Sequence, residues 1–150
     1  MEIRTARTPE EVLLAKQVRH EVFVVEQEIP AELEYDELDA ACTHLVALDA
    51  EGAPQGTARL ISGEQALALT GVEGRVLLGR LAVRKENRGT GLGAELVGAV
   101  ERAGRELGAT ECELHAQVRA MGFYERMGYV AEGPVYDDAG IPHRTMVKVF

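Results

Sequence analysis

The chain has 150 residues, 46% hydrophobic and 27% charged, the balance of one ordinary folded domain rather than of a disordered or fibrous chain. Sixteen Lys and Arg stand against 25 Asp and Glu, a net charge of −9 that argues against generic nucleic-acid binding. No apolar run approaches the ~20 residues of a membrane span.

Met1-Glu2-Ile3-Arg4 is no signal-peptide start, and the two cysteines, Cys42 and Cys112, lie 70 residues apart without metal-type spacing. A reduced, cytoplasmic, metal-free single domain over residues 1–150 is the expectation. In chain order, Ile3–Ala6 reads as a first strand. Thr8-Pro9-Glu10-Glu11 has the composition of a helix start, with Thr8 as cap and Pro9 in the first turn. Leu14, Val18, Val22 and Val25 continue at helical spacing until Pro30. Thr43–Asp49 and Thr57–Ser62 are strand-like and joined by a hairpin-type link, Ala50–Gly56; a glycine-containing loop follows.

Arg75–Val83 is the strongest strand. A polar link, Arg84-Lys85-Glu86-Asn87, leads into Arg88-Gly89-Thr90-Gly91-Leu92-Gly93, and Leu92, Leu96, Val100, Ala103 and Leu107 then mark an amphipathic helix that stops at Gly108. Thr110–Ala116 returns as a strand, parallel to Arg75–Val83 through a right-handed crossover. A short helix, Ala120–Met127, precedes a closing hairpin of Tyr129–Tyr136 and His143–Phe150 around Asp137–Gly140. No internal repeat or linker divides the chain.

Charge is unevenly placed. Glu26, Glu28, Glu32, Glu34, Asp36, Glu37 and Asp39 form a run of seven acids without a base, whereas Arg75–Arg105 carries seven bases against three acids. Two segments of opposite sign suit two differently charged ligands, or are simply solvated faces.

The glycine turn carries the main chemical signal. A helix that starts after such a turn presents unpaired backbone N–H groups and the positive end of its dipole, and glycines let the main chain approach a bulky anion. Arg88 at the mouth adds a charge-assisted donor. The Gly-Lys-Ser/Thr ending of a kinase-type phosphate loop is absent. Gly89, Gly91 and Ala94 satisfy a dinucleotide fingerprint, with Glu111 twenty residues past Gly91. Against that reading, five polar residues separate Val83 from Gly89, and only 35 residues follow His115.

The arrangement instead resembles the GNAT family of acyl-CoA-dependent N-acetyltransferases. Leu81-Ala82-Val83 followed by Arg88-Gly89-Thr90-Gly91-Leu92-Gly93 is similar to the family's strand, polar link and Arg/Gln-x-x-Gly-x-Gly/Ala signature, and Phe123-Tyr124-Glu125-Arg126-Met127-Gly128-Tyr129 to a second one. The segment Arg19–Pro30, Glu34-x-Asp36, Asp39 and Gly140–Met146 resemble the ElaA/YjcF-type branch. This resemblance implies an α/β (α+β) fold: a mixed central sheet of about six to seven strands, helices on both faces and a splayed parallel strand pair.

It also implies acetyl transfer from acetyl-CoA to a primary amine of a small molecule or peptide, by direct attack in a ternary complex. Leu81, Ala82 and Val83 would hold the pantetheine arm like an added strand, the Leu81 N–H serving as oxyanion donor. The amides of Arg88, Gly89, Thr90, Gly91, Leu92, Gly93 and Ala94 would take the pyrophosphate, with Arg84 and Lys85 as weaker candidates for the 3′-phosphate. Tyr124 would protonate the departing thiolate, and Gln117 would stand in for an asparagine common in the family.

An ammonium acceptor must give up a proton before it attacks. Glu26, Glu34, Asp36, His44 and His143 are candidate bases, with His143 and Glu26 placed foremost, and Arg80 lies in the strong strand with an open role. The acidic run is expected near the acceptor, favouring a cationic amine; no nucleic acid, membrane or metal partner is expected, and a homodimer is compatible with the sequence. Two other readings remain at this point: an acyltransferase like the acyl-homoserine lactone synthases, to which Arg19-x-x-Val22-Phe23, Gly56-x-x-Arg59-Leu60 and Arg80-Leu81-Ala82-Val83 are similar, and a non-catalytic acetyl-CoA sensor.

Overall fold

The N-terminal capping signal acts as its residues suggest. In the computed structural model, which describes residues 1–150, strand β1 (Glu2–Thr5) leads to Thr8, whose Oγ1 accepts from the Glu11 N–H at 3.2 Å and opens helix α1 (Pro9–Arg19). The helical path continues to Glu26 in a wider coil, closed by a bond from the Gln27 N–H to Val22 O, five residues back, at 3.1 Å. Such widened turns recur at functional sites. The acidic run is not all loop: it forms a single-turn α2 (Ala31–Glu34) and a tighter turn over Glu37–Ala40, capped by Asp36.

Strands β2 (Thr43–Leu48) and β3 (Pro54–Ile61) form the expected hairpin, β3 starting before Thr57 because the turn between them is shorter than its composition suggests. Helix α3 (Gly63–Thr70) occupies a segment read as loop. Its eight residues bury only Ala66 among them, so its periodic signal is weak, and the flanking glycines resemble loop punctuation. Then follow β4 (Arg75–Val83), α4 (Leu92–Glu106), β5 (Glu111–Gln117), α5 (Met121–Glu125), β6 (Val130–Asp138) and β7 (Ile141–Val149), close to their expected places. Ala139 and Gly140, both at positive φ, make the last hairpin turn.

The seven strands lie in the order β1-β2-β3-β4-β5-β7-β6, with β4–β5 the parallel pair. Helices α1 and α3 pack on one face and α4 on the other. Leu92, Leu96, Val97 and Val100 of α4 are buried against Leu45, Leu60, Leu78 and Leu114, the centre of the main core. Each such side chain contributes on the order of 1.5–3 kcal/mol by burial. Gly56 in β3 permits this approach: a Cβ there would sit 2.8 Å from Leu96 Cδ1 and 3.3 Å from Ala82 O. No helix is long and apolar enough to cross a membrane.

Two local features open the sheet. The ladder between β4 and β5 covers only Arg75–Leu77 against Glu111–Glu113, after which the strands diverge. On its other side β4 bulges, placing Arg80 and Leu81 opposite Ala58, with Arg80 at φ 50°. A non-glycine residue at such an angle is uncommon and concentrates at sites where a side chain is re-aimed.

Candidate active site

The divergence of β4 and β5 leaves a cleft of about 470 Å³, bordered by Gly79–Val83 on one side, Leu114, His115 and Gln117 on the other, and Tyr124 and Gly93 beneath. Ala82 and Val83 pair with Thr57 and Gly56 of β3, whereas their β5-facing edge has no ladder partner. Apart from Val83 O, which Arg88 holds, backbone groups on that edge of Leu81–Val83 are therefore available to an extended ligand.

At one end of the cleft stands the head of α4. Gly89 and Gly91 take φ of 78° and 88°, which the turn requires and side-chain-bearing residues disfavour. The Thr90 hydroxyl closes the turn by donating to Asn87 O at 2.6 Å. The first helical bond runs from the Glu95 N–H to Gly91 O, and the N–H groups of Gly89 to Ala94 donate to no protein group. Nothing lies within 4 Å of a Cβ built on Gly89 or Gly91, so the space above them is open. Gly93 instead lies against the Phe123 ring, 3.3 Å from a built Cβ, tying α4 to α5.

Arg88 donates through Nε to Val83 O at 3.0 Å and pairs with both carboxylate oxygens of Glu26 at 2.8 Å. Arg84 pairs with Glu21 at 2.7 Å, and Lys85 is exposed beside the turn. The two arginines are thus each met by an acid of the widened coil. Glu26 faces Arg88 rather than standing as a carboxylate free to accept a proton.

Tyr124 is half-buried, edge-on to Phe123 and Tyr129 at centroid distances of 5.0 and 6.0 Å, and its hydroxyl has no protein partner. Burial pushes the phenol up to about 12. The neighbouring Tyr129 is different: fully buried, it donates to Glu101 at 3.0 Å and belongs to the core. Gln117 spans the cleft to Gln27, donating to its Oε1 at 3.3 Å.

His143 lies at the far end of the cleft. Its Nδ1 is 2.8 Å from Ile141 O, so that nitrogen carries the hydrogen and Nε2 is left with a lone pair and no protein partner. Its ring stacks on Tyr136 at 5.9 Å. His44 is elsewhere, buried with Nε2 donating to Asp39 O at 2.9 Å, and does not border the cleft.

The acids Glu34, Asp36 and Asp39 are embraced by three arginines. Arg19 pairs with Glu34 and, at 2.7 Å, with Asp39; Arg59 reaches Asp36 at 2.8 Å and Asp39 at 3.0 Å; Arg80, turned by the bulge, reaches Asp36 at 3.3 Å. This part of the run is an ion-paired lattice, not free negative charge. Burial alone would raise the Asp39 carboxyl, but the hydrogen-bonded Arg19 and then Arg59 hold it down at about 2. One potential ligand atom each of Asp39, Cys42 and His44 lies within 4.8 Å of the other two. Their donors are otherwise engaged: the Asp39 carboxylate by two guanidiniums, His44 Nε2 by a carbonyl, and the Cys42 thiol pushed up to about 11 by burial.

His115 escaped the sequence reading. It sits on the same face of β5 as Glu113 and Gln117, the alternation that offered the signal, and its ring joins Glu113 at 2.8 Å to the Tyr136 hydroxyl. A second cavity of about 330 Å³ opens beside it and shares Leu78, Gly79, Arg80, His115 and His143 with the cleft.

Comparison with known proteins shows the family and the fold. Residues 4–150 match the Acetyltransferase (GNAT) domain family. The chain is 38% identical over 144 residues to the uncharacterized N-acetyltransferase YjcF of Bacillus subtilis, covering 95% of this chain and 96% of that one. It superposes on an acyl-CoA N-acyltransferase from Pseudomonas aeruginosa with a TM-score of 0.86 and 32% identity, covering 99% of each chain. Escherichia coli ElaA has the same fold, with a TM-score of 0.83 at 23% identity over 98% of each chain.

Proposed function

The chain belongs to the GNAT acetyltransferase family, and from that premise we propose that it moves an acetyl group from acetyl-CoA to a primary amine of a small molecule or peptide. The observation that carries this reading is the set of unengaged amides from Gly89 to Ala94 at the head of α4, opening beside the unpaired edge of β4. A diphosphate placed there meets N–H groups and a helix dipole together, and the pantetheine chain continues along Leu81–Val83 as an added strand. Arg88 and Gln117 flank that path.

The chemistry then follows from position. The acceptor amine enters from the second cavity, between Arg80 and Tyr136, with Asp138 also on its wall to favour a cationic molecule. His143 Nε2 accepts a hydrogen bond from the amine and orients it. Attack on the thioester carbon places negative charge on the carbonyl oxygen, to which the Leu81 N–H donates. Collapse breaks the C–S bond: the Tyr124 hydroxyl gives its proton to the departing sulfur, and the proton shed by the acylated nitrogen returns to Tyr124, leaving amide, thiol and an unchanged phenol. A phenol held at about 12 is fully protonated before that step. Acetyl-CoA should raise the melting temperature, and an acceptor screen of polyamines, aminoglycosides, amino acids and peptide N-termini, followed by free thiol, tests transfer itself. Protein that neither gains stability from acetyl-CoA nor releases thiol would refute the reading.

A further inference from the structure

We infer that the proton leaving the acceptor ammonium travels through Tyr136 to His115, with Glu113 holding the imidazolium, and that His143 orients the amine without taking the proton. This inference rests on the transferase reading above and assigns a proton path within it.

The two histidines at the junction of the cavities have different partners. His143 has a backbone carbonyl behind Nδ1, which fixes the ring but provides no negative charge for an imidazolium. His115 has the Glu113 carboxylate behind Nε2 at 2.8 Å. Glu113 is nine-tenths buried and is itself anchored by Arg75 at 2.9 Å, which also binds Glu111 at 2.7 Å. With Nε2–H donating to Glu113, neutral His115 offers Nδ1 as acceptor, and the hydroxyl of Tyr136 donates to it. The Tyr136 oxygen then presents its lone pairs to the cavity.

The step balances. An N–H bond of the ammonium breaks and its proton goes to the Tyr136 oxygen, while the Tyr136 O–H bond breaks and that proton goes to His115 Nδ1. The products are a neutral amine, an unchanged phenol and an imidazolium paired with Glu113. Three strands set this chain of groups: Glu113 and His115 alternate on β5, Tyr136 comes from β6, and β7 lies between them. The other charged or titratable groups around it are Asp138 and, through Arg75, Glu132 from β6, His143 from β7, Arg80 from β4 and Arg59 from β3. Leu38 and, from α3, Leu69 line the cavity across from His115 and Tyr136, an apolar wall for the acceptor's carbon chain.

The test compares two probe amines, 1,4-diaminobutane, protonated at neutral pH, and hydroxylamine, which is not. For Tyr136→Phe and His115→Asn, the ratio of kcat with diaminobutane to kcat with hydroxylamine should fall about 100-fold, with an unchanged melting shift from acetyl-CoA. The diaminobutane rate of the variants should keep climbing until the amine itself deprotonates near pH ~10. Ring ¹⁵N signals of the free protein should place the His115 hydrogen on Nε2. An unchanged ratio in active variants, or the hydrogen on Nδ1, overturns the relay while leaving the transferase reading intact. Wild-type protein that acetylates neither probe overturns transfer to simple amines and the relay with it.

Discussion

Glu26 and Arg88 face each other as a two-point ion pair, both oxygens of the carboxylate lying 2.8 Å from the guanidinium that borders the glycine turn before α4. An incoming diphosphate must share or displace that carboxylate. Glu26→Gln should therefore strengthen acetyl-CoA binding. The pair is partly exposed, so the gain is modest, about 2–5-fold in Kd at low salt and less as ionic strength rises. Calorimetry across a salt series measures it, and weaker binding by the variant would show that Glu26 assists the ligand instead.

The proposed phosphate site at the head of α4 has a direct test at Ala94. It is exposed in the first turn of α4, so Ala94→Glu adds bulk and negative charge among the free amides without backbone strain. A change at Gly91, whose φ is 88°, would mix ligand loss with strain. At ligand 100-fold above Kd, acetyl-CoA should stabilise wild type by about 2.7 kcal/mol, and Ala94→Glu should abolish that stabilisation while leaving the unliganded melting temperature near wild type.

For Tyr124, Tyr124→Phe should lower kcat by about 100-fold and change acetyl-CoA affinity by less than about threefold. Because burial raises this phenol to about 12, its proton is retained across the usual assay range, and no alkaline loss of activity from Tyr124 is expected below pH ~11. The matching stability sign is that the raised group favours the fold below its unfolded value of ~10 and loses that contribution as pH climbs toward 12. A pH–rate profile of both proteins checks the assignment.

Asp39 is the structural counterpart. Replacing it by Asn leaves Arg19, only 1% exposed, short of a charge partner, at a cost of about 3–5 kcal/mol in urea denaturation. The carboxyl is depressed to about 2, so its contribution is complete above ~3.9 and disappears as pH falls through 2. Asp39→Asn should flatten the acid limb of the stability curve as well as lower its plateau.

The elements that hold the cleft were readable where periodicity and punctuation agree: the nine residues of β4, with two apolar triplets Val76–Leu78 and Leu81–Val83, then the glycine turn, then the buried stripe of α4. Helix α3 was not, since a short helix with one buried residue leaves almost no pattern. The widened coil after α1 was hidden because a change in bonding step leaves apolar spacing nearly intact. Pairing across long sequence distances was equally silent: Glu34, Asp36 and Asp39 read as free negative charge, beside the acceptor or solvated, until the fold delivers Arg19, Arg59 and Arg80 to them. His115 and Glu113 share a strand face by simple alternation, but their link to Tyr136 needs β7 inserted between β5 and β6.

The short ladder between β4 and β5 gives the sheet the mechanics of a tuning fork. Its stem is three rungs, riveted by Arg75 to Glu111 and Glu113, and its prongs are a four-strand and a three-strand half. A thioester seated between the prongs bridges them as a spacer, damping their relative vibration from the far end. Amide exchange along Leu78–Ala82 and Leu114–Gln117 should slow together when it binds, while Arg75–Leu77, already clamped, stays unchanged.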